Sequence, residues 1–329
     1  MHQELAAGHV LGIQEPVREP LEAVVDEMRR IIVSDFPLIE EVNAHLMGLK
    51  GKMFRPTLLL LAAEATGGVR EEDVTLAAVV ELIHLATLVH DDSVDHSVLR
   101  RGQPTVNSMF SHQIAVIMGD YLYSRAIIEL VECGEPTPLK VMSRVTNEMT
   151  VGEMRELISF DSLAYTEDDY NKLILAKTAS LMAGACDIGA RRAGDAVRAN
   201  MRRFGELLGC AFQVTDDVLD YTEDESVTGK PGGLDLREHK VTLPLIAARP
   251  HLGSDEEEVV RKLLDEPEPS DEEVANVIEI VKSAGGLDVA RRRATELAEA
   301  AEAELAVLEP SPAKDSLRDC VAYAVNRRS

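Results

Sequence analysis

Residues 76–95 read LAAVVELIHLATLVHDDSVD: apolar side chains cover most of a helical circumference, and the stretch then ends in three aspartates. A helix that is apolar all round belongs inside a bundle rather than on its surface. The same design returns as FGELLGCAFQVTDDVLD at 204–220. Outside these two stretches, apolar residues recur at three- and four-residue spacing, as in Leu21, Val24, Val25, Met28, Ile31 and Ile32. Helices are expected at roughly 19–33, 36–47, 55–66, 72–92, 106–132, 138–159, 167–191, 195–221, 240–249, 255–266, 270–284, 286–308 and 312–325. No strand pattern competes. The breaker-rich run Thr222–His239, with Gly229, Pro231, Gly232 and Gly233, reads as a mobile loop. Without a sharp composition shift or a fixed-period repeat, one all-α domain over residues 1–329 is favoured over two.

Composition narrows the function. Lys and Arg number 34 against 58 Asp and Glu, a net charge of −24 with a pI near 4.8. Such a chain is poorly suited to wrapping nucleic acid or sitting on an anionic leaflet by bulk charge, so anionic ligands need a few local cations or bound metal. The four cysteines, Cys133, Cys186, Cys210 and Cys320, form no CxxC pair, which fits reduced thiols in the cytoplasm. No basic region followed by an apolar one opens the chain, which argues against a secretory signal. The apolar run Val74–Val89 is interrupted by Glu81 and His84 and reads as too short to span a membrane.

Each buried helix ends in a DDxxD block: Asp91, Asp92 and Asp95, then Asp216, Asp217 and Asp220. The first and third carboxylates lie one turn apart on one face, close enough to share a hard divalent cation. A single block in so acidic a chain reads first as a solvated helix end. Two blocks beside a core do not, because buried carboxylates need cations. Helices facing across a bundle supply that geometry. Local cations are present too: Lys52 and Arg55 at i, i+3, His84 two turns before Asp91, Arg100 and Arg101 after the first block, and Lys177, Lys230 and Lys240 further on. Singly these read as surface charges, salt-bridge partners of Asp95, or a core histidine. Together they describe a pocket that takes polyphosphate through Mg²⁺ and Lys or Arg.

Six segments carry a more specific signal: GLKGKMFRPTLLLLAA (48–63), IHLATLVHDDSVDHSVLRRGQPTVN (83–107), MGDYLYSRA (118–126), LILAKTASLMAGA (173–185), FQVTDDVLDYTED (212–224) and GKPGGLDLREHKVTLPLI (229–246). In this order they resemble the motifs of the trans-isoprenyl diphosphate synthases, the polyprenyl synthetase family. The resemblance implies helices around a deep central cavity, a homodimer, and head-to-tail condensation of isopentenyl diphosphate with an allylic diphosphate. It implies three Mg²⁺ per site, with Asp91 and Asp95 as ligands, Asp92 orienting that cluster, and Asp216 a further ligand supported by Asp217 and Asp220. Lys52, Arg55, His84 and Arg101 are then expected on isopentenyl diphosphate, and Arg100, Lys177, Lys230 and Lys240 on the allylic diphosphate. Lys177, Thr178 and Gln213 are the expected catalytic residues, with Thr178 and Gln213 flanking the reacting carbons. No side chain stands out as the base, and the released diphosphate is a candidate proton acceptor. Three positions depart from the pattern: Met53 replaces a usual basic residue, Ser93 a usual apolar one, and Glu156 stands where Gln is common.

A terpene cyclase is disfavoured because its second metal motif is of the Asn, Ser and Glu type, whereas both blocks here are aspartate. A non-catalytic subunit of a heteromeric synthase would be expected to have lost an acid block or the RRG, and both are intact. Chain length turns on Ala86 and Thr87, five and four residues before Asp91, with Ile83 and Val80 beyond. Short-chain members carry an aromatic near this point, and none of these residues is aromatic. A product longer than fifteen carbons is therefore expected, with a geranylgeranyl or farnesyl diphosphate synthase as the alternative.

Overall fold

Helix after helix follows the apolar spacing in the computed structural model, which describes residues 12–49, 51–100, 102–157, 164–222 and 232–326. The helices are α1 (Arg18–Ile32), α2 (Pro37–Gly48), α3 (Phe54–Ala65), α4 (Glu71–Val94), α5 (His112–Glu132), α6 (Pro136–Leu157), α7 (Glu167–Ile174), α8 (Ser180–Gly189), α9 (Asp195–Thr222), α10 (Leu243–Ala248), α11 (Ser254–Asp265), α12 (Asp271–Ser283), α13 (Gly286–Glu304) and α14 (Pro312–Asn326). The two all-round apolar helices are central. α1, α3, α5 and α8 pack on α4, and α8, α13 and α14 pack on α9. α4 is long and apolar enough to cross a bilayer, unlike the shorter run expected at Val74–Val89, but more than half of its apolar window is buried against these neighbours. A second, smaller apolar cluster joins the end of α9 to α10, α11 and α12 through Tyr221, Leu245, Val260 and Val277.

Four local features differ from the sequence expectation. Leu99–Arg100 and Gln103–Pro104 form a small antiparallel hairpin, β1 and β2, although no strand was expected. The expected helix 106–132 breaks at Phe110–Ser111, where the Ser111 hydroxyl caps α5 by accepting from Ile114 N. The expected helix 167–191 is interrupted by a π turn at Leu175–Ala179, and such turns gather at functional sites. Within the expected loop Thr222–His239, Leu234–Arg237 is a helical turn, and residues 223–231 lie outside the described residues.

Two glycines admit the π turn. A Cβ on Gly209 would lie 2.5 Å from Ala179 Cα, and one on Gly152 would lie 3.2 Å from Lys177 N. α9 and α6 therefore approach the backbone around Lys177 and Thr178 from two sides.

Candidate active site

Both acid blocks sit at the same end of the bundle, but their carboxylates are not equivalent. Asp92 is buried and gripped by Arg100, whose Nε lies 2.8 Å from both of its oxygens and whose Nη2 lies 2.7 Å from Oδ1. Arg100 lies in β1 of the hairpin, and its guanidinium pairs with Asp92 rather than Asp95. Asp91 lacks such a grip. Burial pushes its carboxyl up to about 7; Lys177 opposes this, while Glu153 and Asp95 add to it. Asp95 is exposed at the helix end.

In the second block, Asp217 is buried and accepts from the Tyr170 hydroxyl and from Gln213 Nε2 at 2.9 Å. The Gln213 oxygen in turn accepts from Thr178 Oγ1 at 2.8 Å. Thr178, Gln213, Asp217 and Tyr170 thus form one hydrogen-bonded chain from the π turn through α9 to α7. Asp220 accepts the backbone N–H groups of Leu234 and Asp235 at 3.0 and 3.1 Å, so it anchors the helical turn after the loop. Asp216 is half-buried beside them. Asp92, Asp217 and Asp220 thus each accept internal donors, which fits the ordering and supporting parts that the resemblance implies for them beside Asp91, Asp95 and Asp216.

The cations divide into two groups. Lys177 Nζ contacts Glu156 and lies 2.9 Å from Glu153, and Lys240 Nζ lies 2.8 Å from Glu238 and 3.7 Å from Glu156. These carboxylates outweigh burial and raise both ammonium groups, Lys240 to about 12. On the other side, Arg55 Nη1 meets His84 Nε2 at 3.0 Å, and Lys52 Nζ donates to the Tyr323 hydroxyl at 2.9 Å. Arg101 and Lys230 lie outside the described residues.

Two cavities meet at this centre. One, of about 490 Å³, is lined by Asp95, Glu156, Lys177, Gln213, Asp217 and Lys240. The other, of about 670 Å³, runs between α4, α5 and α6 past Ile83, Ala86, Thr87 and Asp91. Glu153, Lys177 and Thr178 belong to both walls. The Thr87 hydroxyl bonds back to the His84 carbonyl at 2.8 Å, so it is already satisfied on this wall. Val80 is fully buried and does not line the cavity.

A Polyprenyl synthetase family model matches residues 36–281. The chain belongs to that family. It is 38% identical over 317 residues to the all-trans-nonaprenyl-diphosphate synthase (geranyl-diphosphate specific) of Rhodobacter capsulatus, covering 96% of this chain and 97% of that one. It is 34% identical to the octaprenyl diphosphate synthase of Escherichia coli K12, covering 98% and 97%. Its structure matches that of polyprenyl synthase from Caulobacter crescentus CB15, complexed with calcium and isoprenyl diphosphate, with a TM-score of 0.91 at 32% identity, covering 97% and 98%. This polyprenyl synthetase is therefore a prenyltransferase of the all-α isoprenoid synthase fold.

Sequence reading missed several residues of the site. Asp235 lines the first cavity, and burial followed by Asp217 and Asp220 pushes its carboxyl up to about 8. Tyr323 reaches Lys52 from the far end of the chain, and its ring packs 5.7 Å from that of Phe54. Gln14 Nε2 donates to the Lys52 carbonyl at 2.9 Å. Backbone geometry also marks the site. Among the described residues, the non-glycine positive-φ positions are Met53, His96 and His239, each within two residues of an assigned side chain.

Proposed function

We propose that this synthetase extends an allylic diphosphate with isopentenyl diphosphate to an all-trans polyprenyl diphosphate longer than fifteen carbons, as a single-domain, homodimeric, cytoplasmic enzyme using three Mg²⁺ per site. The observation that carries this reading is the wall shared by the two cavities. Glu153, Lys177 and Thr178 stand where a chamber lined by Asp95, Asp217 and Lys240 meets a second one whose lining mixes Ile83, Ala86, Leu88 and Met149 with polar side chains, which offers room for a diphosphate head and for the start of an apolar chain.

The donor set fits the metal. Among the described residues, no three His, Cys, Asp or Glu side chains converge to enclose an ion. Mg²⁺ does not need such a cage, because it binds through one or two carboxylates and takes phosphate and water for the rest of its octahedron. Asp91, Asp95 and Asp216 would hold it. When bound it supplies electrostatic stabilisation to the departing diphosphate.

Arg100, Lys177, Lys230 and Lys240 bind the allylic diphosphate, and Arg100 also orders the first block through Asp92. As the allylic C–O bond breaks, the lysines meet the charge growing on the leaving group. Thr178 and Gln213 hold each other beside the reacting carbons, and each oxygen keeps a lone pair for the developing cation. Lys52, Arg55, His84 and Arg101 hold isopentenyl diphosphate with its double bond toward that cation, and positioning of this kind contributes about 7–11 kcal/mol. The released diphosphate takes the proton. Mass spectrometry of products from geranyl, farnesyl and geranylgeranyl primers tests the reading: we expect a ladder that continues past fifteen carbons, and a product that stops at fifteen overturns it.

A further inference from the structure

Glu156 has no role in the mechanism above, yet it sits between the two lysines that the mechanism uses. It contacts Lys177 from the π turn, and its other oxygen lies 3.7 Å from Lys240, which precedes α10. All three side chains are shielded, with exposures of 21% for Glu156, 28% for Lys177 and 30% for Lys240, so the attraction is stronger than between fully solvated charges. Glu153 touches Lys177, and Glu238 touches Lys240; of these carboxylates, Glu156 spans both.

We propose that Glu156 is a built-in counter-ion that holds Lys177 and Lys240 between catalytic events and must be displaced by each arriving diphosphate. The inference rests on the assignment of these lysines to the allylic diphosphate. An ammonium group has three N–H donors, and those of Lys177 are divided between Glu153 and Glu156. A diphosphate that binds Lys177 and Lys240 takes over donors that Glu156 gives up. Competition of this kind weakens the grip on any diphosphate. Each condensation moves the allyl group from a diphosphate oxygen to the isopentenyl carbon and frees inorganic diphosphate and a proton. An enzyme that repeats the cycle on a growing chain has to shed that inorganic diphosphate every time, and a carboxylate returning to the lysines favours its departure.

The test compares the full-length wild type with Glu156→Gln, which keeps the shape of the side chain and removes its charge. Calorimetric titration of inorganic diphosphate in the presence of Mg²⁺ is expected to give binding about five- to tenfold tighter in Glu156→Gln, given the strength of charge-assisted contacts. The allylic KM should fall and kcat should fall with it, as inorganic diphosphate leaves more slowly. Glu156→Asp, which retains the charge, should bind near wild-type strength, and thermal melts check that each variant is folded. Equal or weaker binding in Glu156→Gln overturns the counter-ion role while leaving the site assignment intact. So does an Asp variant that binds as tightly as the Gln one. Absence of diphosphate binding to the wild type overturns the site assignment itself, and this inference with it.

Discussion

Asp91 carries an electrostatic cost that Asp92 does not. Arg100 neutralises Asp92, while burial, only partly offset by Lys177, and then Glu153 and Asp95 push the Asp91 carboxyl up to about 7. A folded-state pKa above the unfolded value means that the folded protein holds the proton more tightly. Stability from this group is therefore fully present at low pH, declines as pH rises through 4 toward 7, and is lost above that. Without Mg²⁺, Asp91→Asn should raise the melting temperature at pH 8 by roughly a few degrees, with the gain vanishing toward pH 4. With Mg²⁺ and both substrates, its turnover should drop on the order of 10²–10³-fold. An unchanged melting temperature at pH 8, or turnover near wild type, contradicts the assignment. The DDxxD spacing was enough to mark the block in the sequence. The spacing alone could not separate Asp91 from Asp92, because the guanidinium that distinguishes them arrives on a short hairpin that no strand pattern announces.

At the scale of elements, α4 joins the first acid block to the wall proposed to set the length of the product. Ala86 lies five residues before Asp91, about 7.5 Å along the axis at 1.5 Å per residue, and it is buried on the wall of the larger cavity with Ile83. One helical turn, about 5.4 Å, is close to the length of an isoprene unit, so this wall leaves room for the chain to grow past its first additions. Among the described lining residues, Tyr and Phe are represented by Tyr123 of α5 alone, whose hydroxyl donates to Thr146 of α6 at 3.0 Å. Ala86→Tyr adds a bulky ring to the α4 wall at a position assigned to neither phosphate nor metal. Mass spectrometry should show its products shifted to shorter chains while the first condensation persists; an unchanged distribution refutes this view of the tunnel. Periodicity made the helices themselves legible, including the two whose all-round apolarity places them at the centre. The π turn was not legible, because it depends on the close approach of α6 and α9 at Gly152 and Gly209 rather than on any pattern within 175–179.

Across the whole molecule, the all-α class was readable from spacing and composition, whereas the joining of distant segments was not. Lys52 is met by Gln14 from one end of the chain and by Tyr323 from the other, and nothing in local spacing announces either contact. The proposed homodimer belongs to this scale, and the net charge of −24 constrains it. Two such chains repel, so their interface has to come from apolar burial that outweighs the repulsion. The outer face of α5 offers Ile117 at 62% exposure, Ile128 at 42% and Val131 at 59% along one stripe, with Val116 beside it. Val33 and Phe36 in the turn between α1 and α2 are exposed as well, and the Tyr121 hydroxyl ties that turn to α5 through the carbonyls of Ile32 and Val33. Ile117→Asp should convert the dimer to monomer in sedimentation equilibrium, and because the side chain is already exposed, the melting of the isolated fold should scarcely change. Salt supplies an independent check. Raising ionic strength shortens the screening length from about 10 Å at 0.1 M to about 3 Å at 1 M. Wild-type association should therefore tighten with added NaCl, the opposite of an interface held by ion pairs. A dimer that survives Ile117→Asp, or one that loosens as salt rises, shows that the chains meet through another face.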